Sequence, residues 1–192
     1  LHEAKENWKK ENESLTLERK KMRQNQEGGC DCWIEPDNTY TLITTFDWEY
    51  TAGAGPNVDC SIGPLDLSWT FDFYGSAYNS IYINSKGSIS FGNYLIDWTP
   101  EEFPNTVNEI AQVAGFWADS DYRSSGDIYY KITDDAVFIN FVDVGYYSNH
   151  DDLINSYQII ITPTDGVILP DGSNTQMCYL DMNWAHGDVG GS

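Results

Sequence analysis

The sequence predicts an all-β fold, an antiparallel β-sandwich preceded by an N-terminal helical arm. Three observations point there. Apolar and polar residues alternate in short runs, as in Leu67, Trp69, Phe71 and Phe73, the two-residue period of a half-buried strand. Clusters of Gly, Asn, Asp and Pro break these runs into short pieces. Thirteen Tyr, seven Trp and 16 Gly in 192 residues suit many short strands joined by tight turns. That length allows one domain with a sizeable core and an appendage.

The appendage comes first, and the sequence divides into an arm or linker over 1–29 and a globular domain over 30–192. Residues 1–27 hold seven of the ten basic residues and six acids, without Gly or Pro, a helix-forming composition. Trp8, Leu15 and Met22 recur every seven residues, and Glu6–Lys10 is a favourable i, i+4 pair. One apolar residue per heptad is a thin stripe for a free-standing coiled coil. The arm is therefore expected to lie on the domain or to place Trp8, Leu15 and Met22 against a partner chain, with a dimer or a wet surface helix as rivals. Gly28 and Gly29 end it.

The strands follow in order. Tyr40 to Thr45 reads as one, and Leu65 to Phe73 as another. Ser80 to Ile83 and Ser88 to Phe91 form a hairpin whose turn is Asn84-Ser85-Lys86-Gly87. Ile128 to Ile132 and Ala136 to Val142 form a second, turned by Thr133-Asp134-Asp135. Tyr157 to Thr162 and Met177 to Met182 pair across a long loop. The only helix signal here is one short turn from Thr99-Pro100-Glu101-Glu102. Between these lies Ala114 to Lys131, an apolar run ending in Phe116 and Trp117, then Asp119 and Asp121, then a polar turn. Phe116, Trp117, Phe73 and Tyr130 are the predicted core aromatics. Phe116 and Trp117 are expected on central strands, with at least one ring fully buried.

The stretch Ala114-Gly-Phe-Trp-Ala-Asp-Ser-Asp-Tyr-Arg-Ser-Ser-Gly-Asp-Ile-Tyr-Tyr resembles the core of the NIDO, or nidogen-like extracellular, domain. Further blocks of that family stand in order: Phe71-Asp72-Phe73-Tyr74-Gly75 and Asn84-Ser85-Lys86-Gly87-Ser88-Ile89-Ser90-Phe91-Gly92 upstream. Downstream come Val144-Gly145-Tyr146-Tyr147, Asn155-Ser156-Tyr157-Gln158, Thr164-Asp165-Gly166 and Met182-Asn183-Trp184. The resemblance spans about Tyr40 to Trp184 and is strongest to versions in large secreted proteins of Bacteroidetes-type bacteria. Gly115 departs from it, standing where many relatives have Pro. It implies a module of a large, multidomain, secreted or cell-surface protein, with no reaction or ligand common to the family. A glycine-rich stretch and one more strand follow in the family, so the domain is expected to be C-terminally incomplete.

Charge and cysteines narrow the function. From Cys30 onward only Lys86, Arg123 and Lys131 are basic, against 24 of the 30 acids. So acidic a surface repels a phosphate backbone, which excludes a nucleic-acid partner. No apolar run approaches the ~18 residues of a membrane span. Cys30, Cys32, Cys60 and Cys178 are even in number and lack zinc-site spacing, which points to disulfides; four cysteines allow three pairings.

Candidate chemistry is sparse. His2, His150 and His186 are scattered, and no nucleophile elbow or phosphate loop is present. Asp119 and Asp121 are hard-oxygen donors spaced as Ca²⁺ sites often have them, with Asp151 or Asp152, Asp127 and carbonyls of Tyr122 to Gly126 as further ligands. An Asp–Arg turn clamp using Arg123 is the default alternative. The expectation is a non-catalytic module acting in adhesion or extracellular assembly, binding other extracellular or cell-surface proteins. A carbohydrate-binding module, with Trp48, Tyr50, Tyr146 and Tyr147 stacking on glycans, is the runner-up. Part of a secreted hydrolase is the third reading.

Overall fold

In the computed structural model the described residues are 32–49, 59–100, 110–163 and 173–187, together with Lys10 and Leu169. Trp8, Leu15 and Met22 of the expected helical arm, and the expected disulfide residue Cys30, lie outside them. So does most of the expected helical turn after Thr99.

Two antiparallel sheets make a sandwich. The first sheet contains β1 (Thr41–Leu42), β7 (Ser120–Asp121), β8 (Asp127–Ile132), β9 (Val137–Tyr146), β10 (His150–Ile161) and β11 (Thr175–Met182). Its order is β1-β8-β9-β10-β11, with β7 added to β9. The second, in order, is β2 (Trp48–Glu49), β3 (Cys60–Phe73), β4 (Ser76–Asn84), β5 (Ser88–Phe91) and β6 (Ala111–Ala114). Both expected hairpins are present: Asn84 pairs with Ser88 across the first turn, and Ile132 with Val137 across the second. Thr133 closes that second turn, its hydroxyl accepting from the backbone N–H groups of Asp135 and Ala136.

The period-two patterns converge on one core. Phe71, Ile81, Ile83 and Ile89 from the second sheet meet Ile139, Phe141, Tyr157, Ile159 and Ile161 from the first, all fully buried. Rings carry much of the contact: Phe141 stacks on Tyr157 at 4.7 Å and Phe71 on Phe91 at 5.0 Å, separations at which aromatic pairs attract beyond their area.

A second, smaller cluster forms outside the first sheet, where Ile160, Leu169 and Cys178 are covered by Cys32 and Phe138. The cover is stitched on. Cys32 is disulfide-bonded to Cys178, Ile34 exchanges hydrogen bonds with the Gln158 side chain, and its carbonyl also accepts from the Asn140 amide. The sequence left this pairing open; among the described residues the structure assigns the Cys32–Cys178 bridge, and Cys60 is buried.

The predicted core aromatics sit at its margin. Phe73, Tyr130 and Phe116 pack against the cluster while half-buried. Trp117 is also half-buried, its indole N–H donating to the Asp97 carbonyl at 3.4 Å. The expectation of a fully buried ring at 116 or 117 is corrected. Those residues ride the crossover from β6 in one sheet to β7 in the other, and no central strand carries them.

The crossover hangs on the β4–β5 turn. The Gly87 carbonyl accepts from the N–H groups of Gly115 and Phe116, at 3.0 and 3.2 Å, and the Lys86 carbonyl from that of Ala118. Gly115 therefore supplies a donor that a proline in its place would lack. Gly87 itself has φ +86, and a Cβ there would run into the Phe116 carbonyl and the Tyr157 hydroxyl.

Gly87→Ala should therefore destabilise the domain far more than Gly75→Ala. Both positions have positive φ, a cost of about 1–2 kcal/mol for alanine, yet a Cβ on Gly75 meets nothing within 4 Å. Thermal melts of the two variants check this. Equal losses would show that the crossover does not depend on the close approach at Gly87.

Candidate functional site

The polar residues of the Ala114–Lys131 stretch gather at the end of the sandwich where β6 crosses to β7. At its centre is Lys86, whose position follows from the hairpin: Asn84 and Ser88 pair, so the turn residue Lys86 is carried beyond the ends of β4 and β5. The crossover then folds onto that turn and closes over it. Lys86 is 1% exposed. A buried ammonium is tolerated only when its donors are met. Here its Nζ lies 2.6 Å from Asp119 Oδ1, 2.8 Å from Asp59 Oδ1 and 2.8 Å from the Ser120 carbonyl oxygen. Asp59 precedes β3, whose Cys60 is locked to the same turn, the Cys60 N–H donating to Ser85 Oγ and the Ser85 N–H to the Cys60 carbonyl. Asp59 and Lys86 thus belong to the second sheet, while Asp119 leads into the first. Burial pushes the Asp119 carboxyl above its ordinary value, and the ammonium of Lys86 pulls against it.

The second aspartate of the motif has a separate counter-ion. Asp121 is fully buried and paired with Arg123 two residues on. Its Oδ1 accepts from the backbone N–H and Nε of Arg123, at 3.0 and 2.9 Å. Its Oδ2 accepts from the Arg123 guanidinium and, at 2.9 Å, from the backbone N–H of Asn149. Asn149 sits at the tip of the β9–β10 hairpin with φ +62, a conformation asparagine tolerates. The Ser124 hydroxyl donates to the Asn149 carbonyl, and the Arg123 guanidinium lies 5.5 Å from the centre of the Tyr147 ring. One short turn, Asp121 to Ser124, therefore grips the hairpin tip. Burial alone would raise the Asp121 carboxyl, but hydrogen bonds from the Arg123 side chain and the Asn149 and Arg123 backbone hold it below the ordinary value.

The candidate calcium ligands are thus distributed rather than gathered. Asp119 and Asp121 answer to different cations of the protein. Asp152 is exposed and accepts from the Tyr146 hydroxyl at 3.2 Å, with His150 Nδ1 3.4 Å away. Asp151 is beside it on β10, and Asp127 opens β8. Among the described residues no group of three or more His, Cys, Asp or Glu is arranged to hold a metal ion. The Asp–Arg clamp was legible in the D-x-R spacing. Lys86 and Asp59 were not among the candidate site residues, since no local pattern links either to Asp119.

The exposed aromatics form a separate feature. Trp48 on β2 stacks on Tyr94 with ring centres 4.3 Å apart and planes 10° from parallel, and Tyr82 meets Tyr94 edge-on at 6.4 Å. Trp48 remains 40% exposed, and Trp98 on the same loop as Tyr94 is 42% exposed. Tyr146 and Tyr147 are engaged instead with Trp184, His150 and Arg123 at the clamp. Tyr50 lies outside the described residues.

The clamp dictates an acid response. Folding lowers the Asp121 pKa, so its contribution is full above the ordinary carboxylate value of about 3.9 and is lost as pH falls through the folded value. Asp119, raised by folding, acts with opposite sign and favours the folded state as pH falls. Asp121→Asn should lower the melting temperature near neutral pH, by an amount equivalent to about 3 kcal/mol, and flatten the acid limb of the melting curve. Melts recorded across the acid range check this, and an unchanged acid limb would assign the loss to other carboxylates.

The same stretch is shared with known proteins. A family described as NIDO related matches residues 36–171. Mouse alpha-tectorin is 29% identical over 154 residues, covering 69% of this chain and 7% of that protein. Nidogen of Drosophila melanogaster is 22% identical over 166 residues, 71% of this chain and 12% of its own length. Dendrite extension defective protein 1 of Caenorhabditis elegans is 33% identical over 67 residues, 35% of this chain and 6% of that protein. The chain thus spans a small fraction of the relatives it matches, and no solved structure matches it significantly. With the match running through more than half of its length, the chain belongs to the NIDO-related family of nidogen-like extracellular domains, and its setting is secreted and extracellular.

Proposed function

We propose that the chain is a non-catalytic module through which a longer extracellular protein attaches to other extracellular or cell-surface proteins. The observation that carries this reading is the use made of the charged groups in the conspicuous motif. Asp119 and Asp121 are buried and committed to Lys86 and Arg123, so the motif serves as a structural lock between sheets and hairpin. An acid or base poised for catalysis needs access to a substrate proton. The relatives named above support the extracellular setting.

The surface this reading assigns to a partner is the aromatic group on the second sheet: Trp48 stacked on Tyr94, with Tyr82 beside it and Trp98 on the same loop as Tyr94. Trp and Tyr anchors of this kind carry a large share of binding energy at protein interfaces. Glycan binding is the second reading, favoured by the same stack, because a flat exposed ring suits a sugar face.

The two readings separate in one experiment. The full chain, immobilised, should retain extracellular-matrix proteins, and Trp48→Ala should weaken that retention about tenfold or more while leaving the melting temperature within a few degrees. A glycan array run in parallel, with and without chelator, should stay blank. Array binding that Trp48→Ala abolishes would replace the protein-partner reading with the glycan one, and chelator-sensitive binding would bring calcium into it.

A further inference from the structure

The Asp59–Lys86–Asp119 group encloses an amine with two carboxyl groups, each with an oxygen within 2.8 Å of Nζ. We propose that Lys86 and Asp119 join covalently within the folded chain, forming an intramolecular isopeptide bond between the two sheets, with Asp59 relaying protons. This stands independently of what the module binds.

The geometry assigns each atom a part. Nζ is 2.6 Å from Asp119 Oδ1, a contact that holds the amine against the carboxyl group as bound reactants are held. The side chains cannot drift apart: Lys86 is fixed by the β4–β5 turn, and Asp119 by the Ala118 N–H to the Lys86 carbonyl and the Tyr147 N–H to its own carbonyl. Bulk water, which reverses such condensations, is kept out, since the side chains of Lys86 and Asp119 are 2% and 6% exposed.

The balance is that of a dehydration. An ammonium and a carboxylate contain three N–H protons and two oxygens between them. The C–N bond forms, one carboxyl oxygen leaves as water with two of those protons, and one N–H remains; charge is conserved and no co-reactant is needed. The three acceptors around Nζ match this outcome. Asp119 provides the carbon. Asp59, 2.8 Å from Nζ, takes a proton from the attacking nitrogen and returns it to the departing oxygen. The Ser120 carbonyl, also 2.8 Å away, accepts the N–H that the amide keeps. Burial pushes the Asp119 carboxyl above its ordinary value, toward the protonated acid that amide formation requires. The product replaces the Lys86–Asp119 charged pair by a neutral amide, and Asp59, which then loses its counter-ion, takes up a proton from solvent to remain buried.

The readout is mass. The full chain, incubated folded for a day at neutral pH, then reduced, alkylated and denatured, should weigh one water less than its sequence with every cysteine alkylated requires. A chymotryptic digest should contain a branched peptide linking Lys86 to Asp119. Lys86→Arg should restore the full mass, and Asp59→Ala should leave most molecules unlinked. Wild-type protein at full mass overturns the proposal, as does a water deficit that survives Lys86→Arg. A branch from Lys86 to Asp59 overturns the assignment of Asp119 as acceptor. The branched peptide is sought in the wild-type chain, so the test remains decisive even where a variant fails to fold.

Discussion

Lys86 carries the one charge around which both sheets are arranged. In water an ammonium and two carboxylates attract weakly, and exposed pairs of this kind stabilise by only ~1 kcal/mol or less. Enclosed by the sandwich, the same group becomes obligatory, because removing any member leaves an uncompensated buried charge. Asp59 brings the start of β3, Lys86 the β4–β5 turn and Asp119 the approach to β7. Three segments far apart in the chain must arrive together before any of these charges can leave water. The group therefore specifies the fold as much as it stabilises it.

The rest of the end structure follows from that arrangement. The turn that delivers Lys86 also offers its own backbone carbonyls to Gly115, Phe116 and Ala118, so the crossover is pinned by main chain and side chain at once. From there Asp121 and Arg123 reach the β9–β10 hairpin, and Asn155 closes β11. Asn155 Oδ1 accepts from the N–H groups of Asn183 and Trp184, and its amide donates to the Trp184 carbonyl. Trp184 is then held against Phe116 at 4.9 Å, returning the chain to the crossover. In a domain with 24 acids and three cations after Cys30, two of the cations are placed where two sheets or a sheet and a turn must be joined. The third, Lys131, lies 5.6 Å from the centre of the Tyr40 ring.

What was legible in the sequence was what is decided locally. Turn chemistry located Asn84 to Gly87 and Thr133 to Asp135, and alternation put Leu67, Trp69, Phe71 and Phe73 on one core-facing side of β3. The Asp121–Arg123 clamp was readable because its partners are two residues apart. The Lys86 group was not, since Asp119 lies 33 residues from Lys86 and no periodicity links them. Trp117 misled for a related reason: hydrophobicity predicts burial, but a residue on a crossover faces the sandwich's end rather than its centre. The Cys32–Cys178 pairing was likewise invisible, because it depends on how Cys32 and its neighbours return across the outer face of the first sheet.

That disulfide has a mechanical consequence. It joins residues 146 positions apart, one before β1 and the other within β11, so the covalent loop encloses almost all of the sandwich. Tension between a point ahead of Cys32 and a point beyond Cys178 passes through the sulfur bridge and does not load the sheets. While the bridge is intact, such a pull can strip off only the last residues of β11, and the core cannot be unravelled from its ends. Reduction reroutes the same force through β1 to β10. The domain's resistance to stretching is therefore set by the redox state of its surroundings, while its hydrophobic core stays the same.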